Sequence, residues 1–232
     1  MRRGMLVLLA AAAAGRLVAQ APALPVVNAG VPRGFTLGGM IGFANAATGG
    51  GTGLGVSGLL GFRRFGVGGY VSQVSGSDYG RYQSAGGSVT AKVLGGPLVP
   101  VAVNLQAGVG YFRTTAQDAS DERAKNWHVP VGLGISWTIP RPVVALKPWI
   151  APRLDYLRTT TQSPDPLADP VPGGPIPLVT ATESNLDFGL SGGITFGLIN
   201  GIGIDLVFDR VFAKGLSSKP TVFGAGLHYT FK

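Results

Sequence analysis

From Trp127 to Ile139 the chain alternates without a break. Trp127, Val129, Val131, Leu133, Ile135, Trp137 and Ile139 fall on one side of an extended strand; His128, Pro130, Gly132, Gly134, Ser136 and Thr138 fall on the other. A strand with one bulky apolar face and one small or polar face separates two unlike environments. The apolar face carries a tryptophan near each end, as where a strand crosses the two aromatic girdles that flank a hydrocarbon layer. The C-terminal residues repeat the pattern. Phe223, Ala225, Leu227, Tyr229 and Phe231 point one way, and Val222, Gly224, Gly226, His228 and Thr230 the other.

The same period recurs over Phe35–Asn45, Thr52–Phe62, Phe65–Val74, Gly86–Leu94, Val101–Arg113, Lys147–Arg158, Leu186–Phe196 and Ile202–Phe212. The spacing predicts about ten strands, each close to the roughly 9–11 residues that a tilted membrane strand needs. Connections alternate between short (Arg63-Arg64, Gly95–Pro100, Pro140–Pro142, Leu198–Gly201) and longer (Ala46–Gly51, Ser75–Gln83, Thr114–Asn126, Thr159–Thr182, Ala213–Pro220). Short turns at one end and long loops at the other are the plan of an outer-membrane barrel. The expected fold is all-β: a transmembrane antiparallel up-and-down β-barrel of about ten strands, with eight as the alternative. Pro130 and Pro152 interrupt expected strands and remove ladder donors, which points to bulges or strand ends near the rim. Glycine strings such as Gly49–Gly53 have no following Gly-Lys-Ser/Thr and read as a flexible loop rather than a phosphate loop.

Composition agrees. Charged residues are 13% and hydrophobic ones 45% of 232 residues, so the chain has too few charges to cover a water-facing surface comfortably. No segment has the roughly 18 consecutive apolar residues of a membrane helix, and 38 glycines disfavour long helices. Cysteine is absent, which excludes disulfides, thiolate metal sites and a lipidated cysteine. Arg2 and Arg3, the apolar run Met5–Gly15 and the small residues of Arg16–Ala21 form a secretory signal peptide over 1–19, with cleavage after Ala19 and Ala21 as the alternative. Residues 20–34 are then expected as a periplasmic N-terminal segment, and 35–232 as the barrel. Loss of Arg2, Arg3 and Arg16 lowers the formal charge from +8 to about +5. The remaining cations are scattered in sequence, without the cluster of a nucleic-acid footprint, so no nucleic acid is expected as a partner.

The chain is similar to the small bacterial outer-membrane β-barrel proteins, the outer membrane protein beta-barrel domain family. The resemblance spans about Phe35 to Lys232 and rests on the leader, the strand pattern and the C-terminal aromatics. Tyr229 and Phe231 match the family's C-terminal assembly signal, whereas Lys232 departs from its terminal Phe. It implies a bacterial outer-membrane location, contact with outer-membrane lipid, and insertion by the outer-membrane assembly machinery with periplasmic chaperones.

Chemistry-bearing residues are few. Lys92, Arg153, Asp155, Asp187, Asp205 and Asp209 are expected to face the lumen, as an internal charge network or a polar pathway; Arg153 is expected opposite Asp187. His128 and His228 also face inward, and Ser136 is too far along the strand to pair with His128. Asp205 and Asp209 lack the clustered further ligands of a metal site, so neither metal nor cofactor is expected. Trp127, Trp137, Tyr156, Tyr229 and Phe231 are expected in the aromatic girdles. The function expected is a monomeric structural, adhesive or weakly porin-like barrel with a narrow polar lumen, and no enzyme. An outer-membrane enzyme acting on lipid or peptide, and a soluble barrel binding an apolar ligand, are the alternatives.

Overall fold

A computed structural model describes residues 24–76, 80–96, 99–115, 123–140, 144–164, 177–198, 200–213 and 218–231. The expected signal peptide, 1–19, and the acidic residues Asp78, Asp118, Asp121, Glu122, Asp165 and Asp169 lie outside the described residues.

Ten strands form: β1 Gly34–Ala44, β2 Gly51–Phe62, β3 Phe65–Gly76, β4 Gly80–Gly96, β5 Val99–Thr115, β6 Arg123–Trp137, β7 Val144–Pro164, β8 Leu178–Leu198, β9 Ile202–Phe212 and β10 Thr221–Phe231. Each pairs antiparallel with its neighbours in sequence, and β1 pairs β10 from Phe35↔Phe231 to Ala44↔Val222, closing the barrel. The outward faces are those the alternation predicts. Leu54, Val67, Leu105, Leu133, Ile150, Phe188, Leu206 and Phe223 are exposed on the exterior and form an apolar outer face. Trp127 and Trp137 lie ten residues apart on β6. At a rise of about 3.3 Å per residue and a tilt near 40°, they bracket an apolar band about 25 Å tall.

Four expectations are corrected. The loops at the long-loop end are shorter than the alternation suggests: β4 begins at Gly80, β7 runs to Pro164 and β8 starts at Leu178. Beyond the apolar outer band the Thr- and Ser-rich strand ends lose the signature while the ladder continues, as in Thr160↔Thr182. Pro130 and Pro152 are neither bulges nor rim residues. The β5–β6 ladder skips from Ala107↔Val131 to Gly110↔His128, and the β6–β7 ladder from Gly132↔Arg153 to Ile135↔Ile150, both with register unchanged. Each proline omits its donor and the neighbouring pairs hold the strand. The register shift falls instead at Lys92–Gly96, where Val93 and Leu94 are both exposed and Gly95 has φ +117°. The glycine string after Asn45 is an ordered turn, a 3₁₀ turn at Ala46–Thr48 followed by left-handed glycines that lead into β2.

The fourth correction concerns the chain ahead of β1. The segment expected in the periplasm turns back into the lumen, where Leu24, Val26, Asn28 and Val31 are buried. Val27 and Ala29 pack against Trp149, Ala151 and Val207 of the wall, together with Met40. The inward glycines make this approach possible. A Cβ at Gly224 would lie 2.7 Å from Pro25 Cγ, and one at Gly134 would lie 2.5 Å from Asn28 Cγ. Pro25 and Pro32 suit the segment, because each brings no N–H that would need a partner inside the barrel.

Candidate functional site: a lumen closed by wall charges and the N-terminal segment

Arg153 is the hub of the lumen. It stands on the inward face of β7, two residues from Asp155. Its Nε donates to Asp155 Oδ1 at 2.9 Å, and its Nη2 donates to Asp209 Oδ1 on β9 at 2.7 Å. Between them, Nη1 donates to Ser191 Oγ on β8. His128 Nε2 bonds Asp155 Oδ1 at 2.9 Å from β6. The other Asp209 oxygen, Oδ2, accepts the backbone N–H of Val26 at 2.8 Å. One guanidinium therefore joins β7, β8 and β9, and Asp209 passes the connection to the N-terminal segment. The group is sealed, with the Arg153 side chain 3% and that of Asp155 0% accessible. Charges so placed are tolerable only when paired and hydrogen-bonded, and these are.

The register departs from expectation at one point. Gly189, not Asp187, lies opposite Arg153, and Asp187 lies opposite Asp155. Glycine is required by space: a Cβ at Gly189 would come within 2.8 Å of Arg153 Cζ. That gap lets the arginine reach over β8 to Asp209.

A second pairing sits lower on the wall. His228 Nδ1 bonds Asp205 Oδ2 at 2.7 Å, and Thr195 Oγ1 donates to Asp205 Oδ1 at 2.5 Å. Asp205 and Asp209 share a face of β9 but bond different partners, so they do not form one ligand pair. Both histidines face inward as expected, and each commits a ring nitrogen to an aspartate. Lys92 faces inward opposite Asn104.

The lumen is filled by different means along its length. Toward the long-loop end, Val74, Tyr82 and Phe112 form one apolar cluster and Leu157, Val211 and Ala213 another. Toward the short-turn end the walls are small, and the N-terminal segment occupies the space. Gln106 Nε2 donates to Val27 O at 3.3 Å and helps hold it. A residual cavity of about 280 Å³ remains beside the segment, bordered by Met40, Leu59, Tyr70, Lys147 and His228.

The girdle residues lie outside. Tyr111 and Trp127 pack at a tilt of 47° with centroids 4.8 Å apart near the long-loop end, with Tyr156 close by on β7. Trp137, Tyr229 and Phe231 are exposed at the other end, where Phe231 packs against Tyr229 at 4.6 Å and Phe35 at 5.9 Å. Ser191, Gly189 and the Val26 N–H are the site groups that sequence reasoning misses. A wall position kept glycine opposite an inward arginine is the one signal that points to any of them.

These features define a class: a closed ten-stranded antiparallel up-and-down barrel with an apolar outer band and a filled core. No family model matches the chain, and no curated protein does. Solved structures similar in fold are small outer-membrane barrels. Neisserial surface protein A is 11% identical with a TM-score of 0.37, over 85% of this chain and 97% of that one. The outer membrane protease OmpT of Escherichia coli is 10% identical with a TM-score of 0.45, over 86% and 94%. The attachment invasion locus protein Ail of Yersinia pestis is 13% identical with a TM-score of 0.35, over 86% and 100%.

Proposed function

We propose that this protein is a monomeric bacterial outer-membrane barrel whose lumen is closed by its own N-terminal segment, and that its role is structural or adhesive, exercised at the outer surface, rather than that of an open pore. The observation that carries this reading is the clasp of Val26 N–H by Asp209, itself held by Arg153. It ties the filling of one half of the lumen to the charge network of the other. A constitutive pore keeps its charges hydrated, whereas here Arg153, Asp155 and Asp209 are all buried. The continuous apolar exterior supports contact with outer-membrane lipid and does not suit a soluble barrel. Closure of β1 on β10 leaves no seam between the chain ends for a second copy. The His128 and His228 pairs act as wall ties, not as catalytic groups, and Tyr229 and Phe231 serve recognition by the assembly machinery.

The test is current through planar bilayers. The mature protein is expected to show no steady conductance, and a variant lacking residues 24–33 is expected to conduct. Stable single-channel steps from the intact protein would contradict the closed lumen.

A further inference from the structure

The cations that are scattered in sequence converge on one outward patch. Arg113 on β5 lies directly opposite Lys125 on β6, and Arg158 on β7 lies opposite Trp127. Arg123 is two residues beyond Lys125 on the same face. All four are exposed and share the outward face of Tyr111 and Trp127. The guanidinium of Arg113 stands over the Tyr111 ring, 5.5 Å from its centroid, and its Nε donates to Tyr111 Oη. Among the described residues no carboxylate lies within ion-pair distance of any of the four.

Two like charges directly opposite on one face of a sheet repel. Cross-strand Cβ atoms are about 5 Å apart and diagonal ones about 7–8 Å, so Lys125 on the middle strand stands near both Arg113 and Arg158, and the three long side chains can converge on one phosphate. Depth fixes what meets them. Trp127 and Tyr111 mark the upper limit of the apolar band, Arg158 is level with them, and Arg113 and Lys125 stand about 5 Å higher along the tilted strands. That is the headgroup layer. Arginine reads phosphate through paired donors and lysine as a point charge.

We propose that Arg113, Lys125 and Arg158, flanked by Arg123, form a binding site for a phosphorylated glycolipid of the outer leaflet, whose phosphate sits between the cations and whose acyl chains lie along β5–β7 beneath Tyr111 and Trp127. This inference rests on the outer-membrane placement above, which cell fractionation and bilayer current test independently.

The experiment uses the mature protein folded in phosphatidylcholine vesicles. Vesicles are doped with bis-phosphorylated lipid A, with the same glycolipid stripped of phosphate, or with phosphatidylglycerol, and the thermal shift of gel migration is read. The phosphorylated glycolipid is expected to move the folded-to-unfolded ratio about tenfold at a level ten times its dissociation constant. The stripped glycolipid is expected to have no such effect, and phosphatidylglycerol much less. The triple variant R113Q/K125Q/R158Q is expected to lose the shift. R33Q/R63Q/R64Q, which removes the same charge from the opposite end, is expected to keep it. Lys125→Gln alone, an exposed single change, is expected to weaken it if the triple variant does not fold. Equal shifts from phosphatidylglycerol would mean general charge attraction and overturn the site. So would a shift that the triple variant or Lys125→Gln retains in full, or no shift at all, as when the acids of the 116–122 connection neutralise the patch.

Discussion

The two halves of the lumen solve one problem with different materials. In the outer half, toward the long-loop end, the walls carry their own filling: Val74, Tyr82 and Phe112 form one cluster and Leu157, Val211 and Ala213 another, above a network centred on Arg153. In the inner half, toward the short-turn end, the inward positions are glycine and other small groups, and a separate piece of chain lies in the space they leave. The outer half is therefore fixed once the strands pair. The inner half is closed only while residues 24–33 stay inside. A barrel wall specified by side chains is stable by construction, whereas one specified by an inserted segment has two states available, filled and open.

That contrast orders the effects of substitution. Arg153→Ala attacks the outer half directly, because it leaves Asp155 and Asp209 buried without their cation. Unfolding by urea in bilayers is expected to show a loss of about 3–5 kcal/mol. A loss below about 1 kcal/mol would mean that water reaches these carboxylates and that the outer half is not sealed.

Leu133→Arg probes the exterior instead, near the middle of the apolar band. A cost of about 2–4 kcal/mol in folding into bilayers is expected. No cost would place Leu133 outside the lipid and undo the assignment of faces.

Gly134→Ser is smaller and more telling. Its side chain would point into Asn28 of the segment rather than into open lumen, so some overpacking cost is expected, about 1–3 kcal/mol. The same change is expected to expel the segment in part of the population and produce intermittent bilayer current. Loss of stability with no current would mean that the segment yields locally without leaving.

Much of this was legible in the sequence. The limits of β9 and β10, Ile202–Phe212 and Thr221–Phe231, follow directly from alternation, because one apolar outward face runs over their full span. The inward placement of Arg153, Asp155, Asp205 and Asp209 follows from the same parity. The upper parts of β7 and β8 were not legible, since their outward positions Thr160, Gln162, Thr180 and Thr182 are polar and no alternation of apolar with polar residues survives, although Thr159 and Thr161 are buried on the inward face. Nor was the position of Leu24–Arg33. That segment has no period of its own, and its partners Gly134 and Gly224 advertise only smallness, which an empty lumen would also allow. The pairing of Arg153 with Gly189 rather than Asp187 is a matter of register between long strands, and parity alone leaves register free by steps of two.

The central claim is that the N-terminal segment lies inside the barrel, and a disulfide tests it most directly. The chain has no cysteine, so the double variant P25C/G224C carries only the two introduced thiols. Pro25 Cγ lies 2.7 Å from the position of a Cβ at residue 224, which puts the two sulfurs within bonding reach. Mild oxidation of the variant in intact outer membranes is expected to consume both thiols, give an intramolecular bridge in mass spectrometry, and leave the protein non-conducting in bilayers. If both cysteines instead react freely with a water-soluble maleimide before and after oxidation, the segment lies in the periplasm and the lumen is not closed in this way.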